Sequence, residues 1–170
     1  RLTDPSLDQL GQLGVPVVLV NQHADVTRHP FHSVQVDNVA GARLAVRHLL
    51  DLGHSAIVYL GAPNRPRSNR QREQGYRAAL AEAGSAVQEG WIQQAAPERR
   101  SYADDVADGQ SLMPAALRTG ITAAFCFNDM YAVGALLACR ELGISVPRQV
   151  SIVGFDDIEI AFHNGLTYYN

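Results

Sequence analysis

Polar side chains follow several of the apolar runs in this sequence, at the points where buried strands are expected to end. These residues are Asn21 after VPVVLV, Asn128 after TAAFCF, and Asp156 and Asp157 after VSIVGF. Carboxylates accept hydrogen bonds and amides both donate and accept them, which suits recognition of the hydroxyl groups of a ligand. No Ser or Cys at these points has a His beside it, so the set does not resemble the nucleophile and base of a hydrolase.

One stretch is rich in arginine, RPRSNRQR (65–72), and it follows the apolar run AIVYLG (56–61). A guanidinium group spans two neighbouring oxygens, so Arg72 suits the same hydroxyl chemistry as the acids. The other arginines of the stretch are predicted to lie in a mobile, solvated loop: Arg65, Arg67 and Arg70.

Each of these side chains also has a purely structural interpretation. Asp129 and Asp157 are suited to capping helices that follow them, and Asp37 is suited to capping the helix after it. Arg72, in the first turn of a predicted helix, also fits a solvated surface group. Residue types alone therefore indicate a crevice for a polar ligand and leave both interpretations open.

Composition excludes several classes of site. The length of 170 residues suits one domain or two small lobes. The net charge of −3 argues against a nucleic-acid surface within this chain. The motifs GxGxxG, GxxxxGK[ST] and HExxH are absent, so no nucleotide, cofactor or metal is expected. Cys126 and Cys139 are predicted to be buried free thiols. No apolar run is long enough to span a membrane.

Segments of strand and helix character alternate along nearly the whole chain. The predicted strands are 15–20, 33–36, 56–61, 91–94, 122–127 and 150–155, and the predicted helices are 39–52, 69–83, 102–118 and 130–142. Near-continuous apolar strands joined by helices predict a parallel sheet that is covered on both faces. Ligands of such sheets bind beyond the carboxyl ends of the strands, where the polar residues lie. The predicted class is a doubly wound α/β fold.

Two helices have unusual sequences. Pro114 is expected to kink or split the helix of 102–118. The helix of 130–142 is apolar nearly all round and is charged only at Arg140 and Glu141. A helix on the outer face of a sheet normally has one polar face. Its second apolar face is therefore expected to meet a partner subunit or, alternatively, elements that lie beyond this sequence.

Several longer motifs occur in a characteristic order from about Val15 to the end of the chain. They are LLDLGHSAIVYLGAP, RQREQGYRAAL, TAAFCFNDMYAVGALLACRELGISVPRQVSIVGFDD and a late GLTYY. In this combination the chain resembles the LacI/GalR family of bacterial transcription regulators. The resemblance implies a periplasmic-binding-protein-like type I fold, with two doubly wound parallel-sheet lobes and an effector bound between them. It also implies a separate N-terminal helix-turn-helix domain, and a chain that is incomplete at both ends.

The family's topology implies a division of the chain between the lobes. Residues 1–36 are expected to belong to the N-lobe and residues 37–162 to the C-lobe. Residues 163–170 are expected to return to the N-lobe.

The resemblance also implies effector-binding roles for five residues. Arg72 matches the arginine that grips the oxygens of the effector, and Asn128 and Asp156 match two further anchors of the C-lobe. Asn21 matches a polar position of the N-lobe, and Ser68 matches a small hydroxyl residue that lines the pocket. The expected effector is a small polar metabolite, a sugar or a sugar derivative.

The function implied by the resemblance is that of a cytoplasmic homodimeric regulator without enzymatic activity, which binds operator DNA through the N-terminal domain. The alternative is a periplasmic sugar-binding receptor of a transport system, which has the same fold and no DNA-binding domain.

Overall fold

The structure is a computed structural model that describes residues 4–21, 31–96 and 102–159. Its elements are α1 (Asp4–Gly11), β1 (Val18–Val20), β2 (His32–Val34), α2 (Asn38–Asp51), β3 (Ile57–Gly61), α3 (Pro66–Glu82), β4 (Ile92–Gln94), α4 (Tyr102–Leu117), β5 (Ala123–Cys126), α5 (Asp129–Glu141) and β6 (Ser151–Val153). Among the helices described, none has the length and apolar character that a membrane span requires.

The chain divides into two compact units, Arg1–Asp37 and Asn38–Asn170. In the first unit, β1 and β2 form a two-stranded parallel sheet. Leu7 and Leu19 are the buried residues of its small apolar core. The assignment of the units to an N-lobe and a C-lobe stays a prediction, and the predicted return crossover at 163–170 lies outside the described residues.

The second unit is built on a four-stranded sheet in the order β4-β3-β5-β6, and every strand pair is parallel. All residues of β3 and β5 are buried. Unbroken apolar runs are needed at such positions because both faces of the strand are covered by helices. This arrangement confirms the predicted doubly wound α/β class.

The strand order reverses within this sheet. The chain passes from β3 to β4 on one side, and then returns to β5 on the other side of β3. Because crossovers between parallel strands are right-handed, α3 and α4 lie on opposite faces. Accordingly, α2 packs with α3, and α4 packs with α5. The gap between the carboxyl ends of β3 and β5 is thus the topological switch point, where sheets of this type bind ligands.

Helix α5 is covered within the chain itself. Nearly all its residues are buried, and only the last two, Arg140 and Glu141, are exposed. A Cβ atom at Gly134 would clash with the carbonyl oxygen of Val106, so the backbones of α4 and α5 are in direct contact there. We expected the second apolar face of α5 to contact a partner subunit or elements beyond the sequence. This prediction was wrong. Helix α4 occupies that face.

Pro114 does not split α4, and the alternative of a kink at this residue stays a prediction. The helix runs without interruption from Tyr102 to Leu117, with Pro114 inside it. A proline removes only one backbone hydrogen bond of the helix, the one to the carbonyl four residues earlier. The two cysteines, Cys126 and Cys139, are free and buried, as predicted.

His54 connects the amino ends of two strands. After α2, Gly53 adopts a left-handed φ of 90° and returns the chain toward the sheet. The His54 Nδ1 atom lies 3.0 Å from Thr122 Oγ1, and Nε2 lies 2.9 Å from Ser151 Oγ. Burial lowers the pKa of His54, because the charged imidazolium loses solvation in this position.

The position of His54 predicts a loss of stability in mild acid. Below the ordinary histidine pKa of about 6.5, the unfolded chain takes up a proton that the folded state resists, so the free energy of unfolding falls as pH falls. His54→Gln keeps a polar side chain but does not titrate, so part of this pH dependence should disappear. Urea unfolding of both full-length proteins between pH 7.5 and pH 5.5 measures the difference. Equal pH dependence in the two proteins would contradict the role of His54.

Candidate functional site

Arg72 is positioned by the motif R-x-x-G-Y on α3. Tyr76, one turn after Arg72, is fully buried, and its hydroxyl donates a hydrogen bond of 2.8 Å to the Ile57 carbonyl of β3. A Cβ atom at Gly75 would clash with the carbonyl oxygen of Val39, so the close packing of α2 against α3 requires glycine. These contacts fix α3 against both the sheet and α2, and they hold Arg72 in a buried position.

The guanidinium group of Arg72 is surrounded by partners from three other segments. Its Cζ atom lies 3.7 Å from the ring centroid of Phe155 and 4.6 Å from that of Phe127. Nε donates to Asn38 Oδ1 at 2.9 Å, Nη1 donates to the carbonyl of Phe127, and Nη2 donates to Asp156 Oδ1 at 3.1 Å. Burial lowers the pKa of Arg72, and the attraction of Asp156 opposes that shift.

Asp156 is the exposed member of this ion pair. Its side chain retains 42% of its solvent exposure, whereas that of Arg72 retains 8%. Within the described part of the chain, Asp156 Oδ2 receives no hydrogen bond, so an acceptor oxygen remains open beside the arginine. Partial burial raises the pKa of Asp156, and Arg72 opposes this shift.

The backbone at Asp156 is strained. Its φ of 112° and the φ of 54° at Asp157 lie in a region that residues other than glycine rarely adopt. Such strain persists only where surrounding contacts impose it, and it concentrates at ligand sites and switches. The Arg72 ion pair is one of these contacts.

A second support for this turn is Asp129. Its Oδ2 atom accepts a hydrogen bond of 2.9 Å from the Ile158 N–H, and its own N–H donates to the Phe155 carbonyl at 3.0 Å. Burial raises the pKa of Asp129 to about 6. Asp129 therefore braces the segment that carries Asp156, and the interpretation of Asp129 as the cap of the helix after it was wrong.

Asn128 provides that cap. Its Oδ1 atom accepts a hydrogen bond of 2.9 Å from the Tyr131 N–H at the start of α5. Its Nδ2 atom donates to Asp105 Oδ2, also at 2.9 Å. The residue is only 5% exposed. Asn128 thus has two structural bonds, and one amide hydrogen is left for a ligand.

Asp105 and Arg65 form a second ion pair next to the first. Arg65 Nη1 lies 2.7 Å from Asp105 Oδ2, and Asp105 is fully buried. The Cζ atom of Arg65 is 5.4 Å from the ring centroid of Phe127, the same ring that Arg72 stacks on. The two ion pairs therefore share one aromatic residue and form a single cluster, called here the Phe127 cluster: Arg65, Arg72, Asp105, Asn128 and Asp156 around Phe127.

The prediction of a mobile loop at the arginine-rich stretch was wrong. Helix α3 already begins at Pro66, since proline is well suited to the first helical turn. Arg65 immediately precedes it and is held by Asp105, whereas Arg67 and Arg70 lie on the exposed surface of α3.

Asp105 was not among the predicted site residues, although the sequence contains a signal for it. Asp105 and Asp108 are three residues apart, as are the buried Met113 and Ala116. All four residues lie on the inner face of α4. Acids on an apolar helix face are rarely buried without partners, so their positions indicate a charged or hydrogen-bonded neighbour.

Three of the five predicted site residues come together in the structure, and the other two lie outside the cluster. Arg72, Asn128 and Asp156 come together in the Phe127 cluster, at the carboxyl ends of the strands. Ser68 lies at the start of α3, half-exposed, with its hydroxyl 3.4 Å from the Arg65 carbonyl. Asn21 lies in the first unit, where its Oδ1 atom accepts a hydrogen bond of 3.1 Å from the N–H of residue 36 and its φ is 52°.

A separate cavity of about 520 Å³ lies beside α3. Its wall includes Glu73, which accepts hydrogen bonds from Arg77 at 2.8 Å and from Gln94 at 3.2 Å. These polar groups satisfy one another, so this cavity has less to offer a ligand than the open carboxylate of Asp156. Among the described residues, no group of three or more His, Cys, Asp or Glu side chains is arranged to hold a metal ion.

Comparison with known proteins identifies the family. Residues 46–169 match the family described as periplasmic binding protein-like domain. The chain is 38% identical over 162 residues to the HTH-type transcriptional regulator GalS of Salmonella typhimurium, a match that covers 94% of this chain and 45% of that protein.

Solved structures agree with this match. The Escherichia coli transcriptional repressor ascG has a TM-score of 0.75 at 30% identity, over 95% of this chain and 57% of that one. The transcriptional regulator CelR in complex with cellobiose has a TM-score of 0.73 at 26% identity, over 95% and 56% of the two chains. The chain spans about half the length of these relatives. It belongs to the periplasmic-binding-protein-like family, and the relatives that it resembles are LacI/GalR-type proteins named as transcriptional regulators or repressors.

Proposed function

We propose that this chain is the effector-binding core of a DNA-binding transcriptional regulator, and that it senses a sugar or sugar derivative through the Phe127 cluster. The observation that carries the proposal is the open carboxylate oxygen of Asp156. It is partly exposed, held by a buried arginine, and located after β6 at the carboxyl edge of a parallel sheet, the edge at which such sheets bind ligands.

The chemistry of the cluster suits hydroxyl groups. Asp156 Oδ2 is an acceptor for a ligand O–H, and its orientation is fixed in advance by the charge-assisted bond to Arg72. Arg72 has five N–H donors, of which its protein partners take three. A sugar offers hydroxyl groups on adjacent carbons, each of which both donates and accepts. Asp156 and Arg72 therefore bind neighbouring oxygens of one ring.

Other predicted residues take secondary roles in this proposal. The free amide hydrogen of Asn128 donates to a further oxygen, and the hydroxyl of Ser68 lines the outer part of the site. Asn21 is the contribution expected from the other lobe. Recognition by fixed polar groups requires no nucleophile or cofactor, so the activity is binding and not catalysis.

Regulation follows from the family. The relatives reported above are named as transcriptional regulators or repressors, so a DNA-binding regulator is favoured over a periplasmic transport receptor. We place DNA binding in an N-terminal domain outside this chain, in a cytoplasmic homodimer. Effector binding then shifts the dimer between two states that differ in operator affinity, and the two ligands are coupled through that equilibrium.

The effector site is tested by a matched pair of substitutions, Asp156→Asn and Asp157→Asn. Both remove one negative charge, and asparagine tolerates the left-handed backbone that these positions adopt. Isothermal titration of the full-length protein with glucose, galactose, ribose and cellobiose should identify at least one ligand. We expect Asp156→Asn to weaken its binding at least tenfold, about 1.4 kcal/mol, because the fixed acceptor is lost, and Asp157→Asn to change it less than about threefold. Unchanged affinity in Asp156→Asn would contradict the assignment.

The regulatory role is tested with DNA. Genomic fragments that the full-length protein selects should bind it with an affinity that the effector changes by about 5- to 150-fold, as measured by fluorescence anisotropy. Asp156→Asn should bind the same fragments without effector and lose the response to it. Light scattering should give the mass of a dimer. A full-length protein that binds a sugar and selects no DNA would instead support the transport receptor.

A further inference from the structure

Positive and negative charges are balanced in the Phe127 cluster. Arg72 pairs with Asp156 at 3.1 Å, and Arg65 pairs with Asp105 at 2.7 Å. Asp129, which braces the neighbouring turn, adds negative charge when it is ionised. Neither arginine thus presents an excess of positive charge to a ligand.

Asp105 has a hydrogen-bonding capacity that its protein partners do not use. Both Arg65 and Asn128 donate to Oδ2. The other oxygen, Oδ1, is buried and has no hydrogen-bond partner within the described ranges. A buried acceptor without a donor is costly, and a carboxylate has no hydrogen of its own to offer. This unpaired acceptor oxygen makes the surroundings of Asp105 electronegative, which disfavours an anion and not an uncharged hydroxyl group.

We infer that this site selects an uncharged effector, and that Asp105 sets the selectivity against phosphorylated sugars. The inference rests on the proposed function, because it concerns the ligand of the same cluster. A phosphate monoester carries about −1.5 to −2 charges at neutral pH. Such a group would meet arginines that are already neutralised, and a carboxylate that repels it. The site would thus discriminate between ligands by the repulsion from the Asp105 carboxylate as much as by its attractive contacts with the sugar.

Asp105 and Asp156 have separate roles in this scheme. Asp156 is partly exposed and contacts a ligand hydroxyl, so its removal weakens every sugar. Asp105 is fully buried behind Arg65 and Asn128, so it acts through its charge and through the position of its partners. Removal of the charge at Asp105 leaves Arg65 uncompensated and makes the cluster positive.

The experiment compares each sugar with its own phosphate ester. Isothermal titration of the full-length protein uses glucose, galactose and ribose, and glucose 6-phosphate, galactose 6-phosphate and ribose 5-phosphate. We expect the wild-type protein to bind the sugar at least about tenfold more tightly than its ester. Asp105→Asn should reduce that preference at least about tenfold, because the freed Arg65 attracts the phosphate.

A matched control is available on the same helix. Asp108 is 3% exposed, and its carboxylate accepts a hydrogen bond of 3.1 Å from the Tyr131 hydroxyl. Asp108→Asn makes the same change of a buried acid to an amide, at a carboxylate that accepts from a tyrosine hydroxyl outside the Phe127 cluster. It should change the preference for the sugar by less than about threefold.

A double variant keeps the test decisive if Asp105→Asn does not fold. Arg65→Gln combined with Asp105→Asn removes the whole ion pair and leaves no buried charge without a partner, which proteins tolerate better than the loss of one member. Because the charge balance is restored, the double variant should recover the wild-type preference for the uncharged sugar.

The outcomes separate this inference from the proposed function. Tighter binding of an ester than of its sugar by the wild-type protein would overturn the inference and leave a sensing site in place. An unchanged preference in folded Asp105→Asn would also overturn it, as would a lost preference in the double variant. If neither these six compounds nor cellobiose binds the wild-type protein, the proposed function itself fails.

Discussion

A buried guanidinium group needs a negative charge nearby and acceptors for its N–H groups. This requirement determines the arrangement of residues at the carboxyl edge of the sheet in the second unit. Arg72 meets it with Asn38 at the start of α2, the Phe127 carbonyl after β5 and Asp156 after β6. One side chain therefore joins four segments that are far apart in the sequence. The packing of α2 on α3 at Gly75 is the precondition, because it fixes the helix from which Arg72 extends.

The same interaction explains why a strand ends in two acids. The turn at Asp156 and Asp157 has unfavourable φ values, and it is held by Arg72 from one side and by the Asp129 carboxylate from the other. The result is a carboxylate whose position is set by contacts within the protein. A rigid half-site of this kind suits an effector-binding core, since little binding free energy is lost in ordering the protein.

The sequence predicts the layered fold well, because alternation of apolar strands and helices is a local property of the chain. It also predicts that Arg72, Asn128 and Asp156 lie together at the carboxyl edge of the sheet, since each follows or faces the end of a strand and lies in a recognisable motif. It fails where the answer depends on tertiary contacts. The covering of α5 by α4 arises from backbone contact at Gly134, and the pairing of Arg65 with Asp105 depends on where α3 begins and how α4 is rotated. The sequence also cannot tell which of the neighbours Asn128 and Asp129 caps α5. Asn128 is the cap, because the Asp129 carboxylate already accepts a hydrogen bond from the Ile158 N–H.

We expect the Asp156–Arg72 pair to receive the effector. A crystal structure of the full-length protein with its most tightly bound sugar tests this directly. A sugar hydroxyl should lie within about 3.2 Å of an Asp156 carboxylate oxygen, with Arg72 still in contact with Phe127 and Phe155. A sugar bound instead in the cavity beside α3, against Glu73, would contradict it.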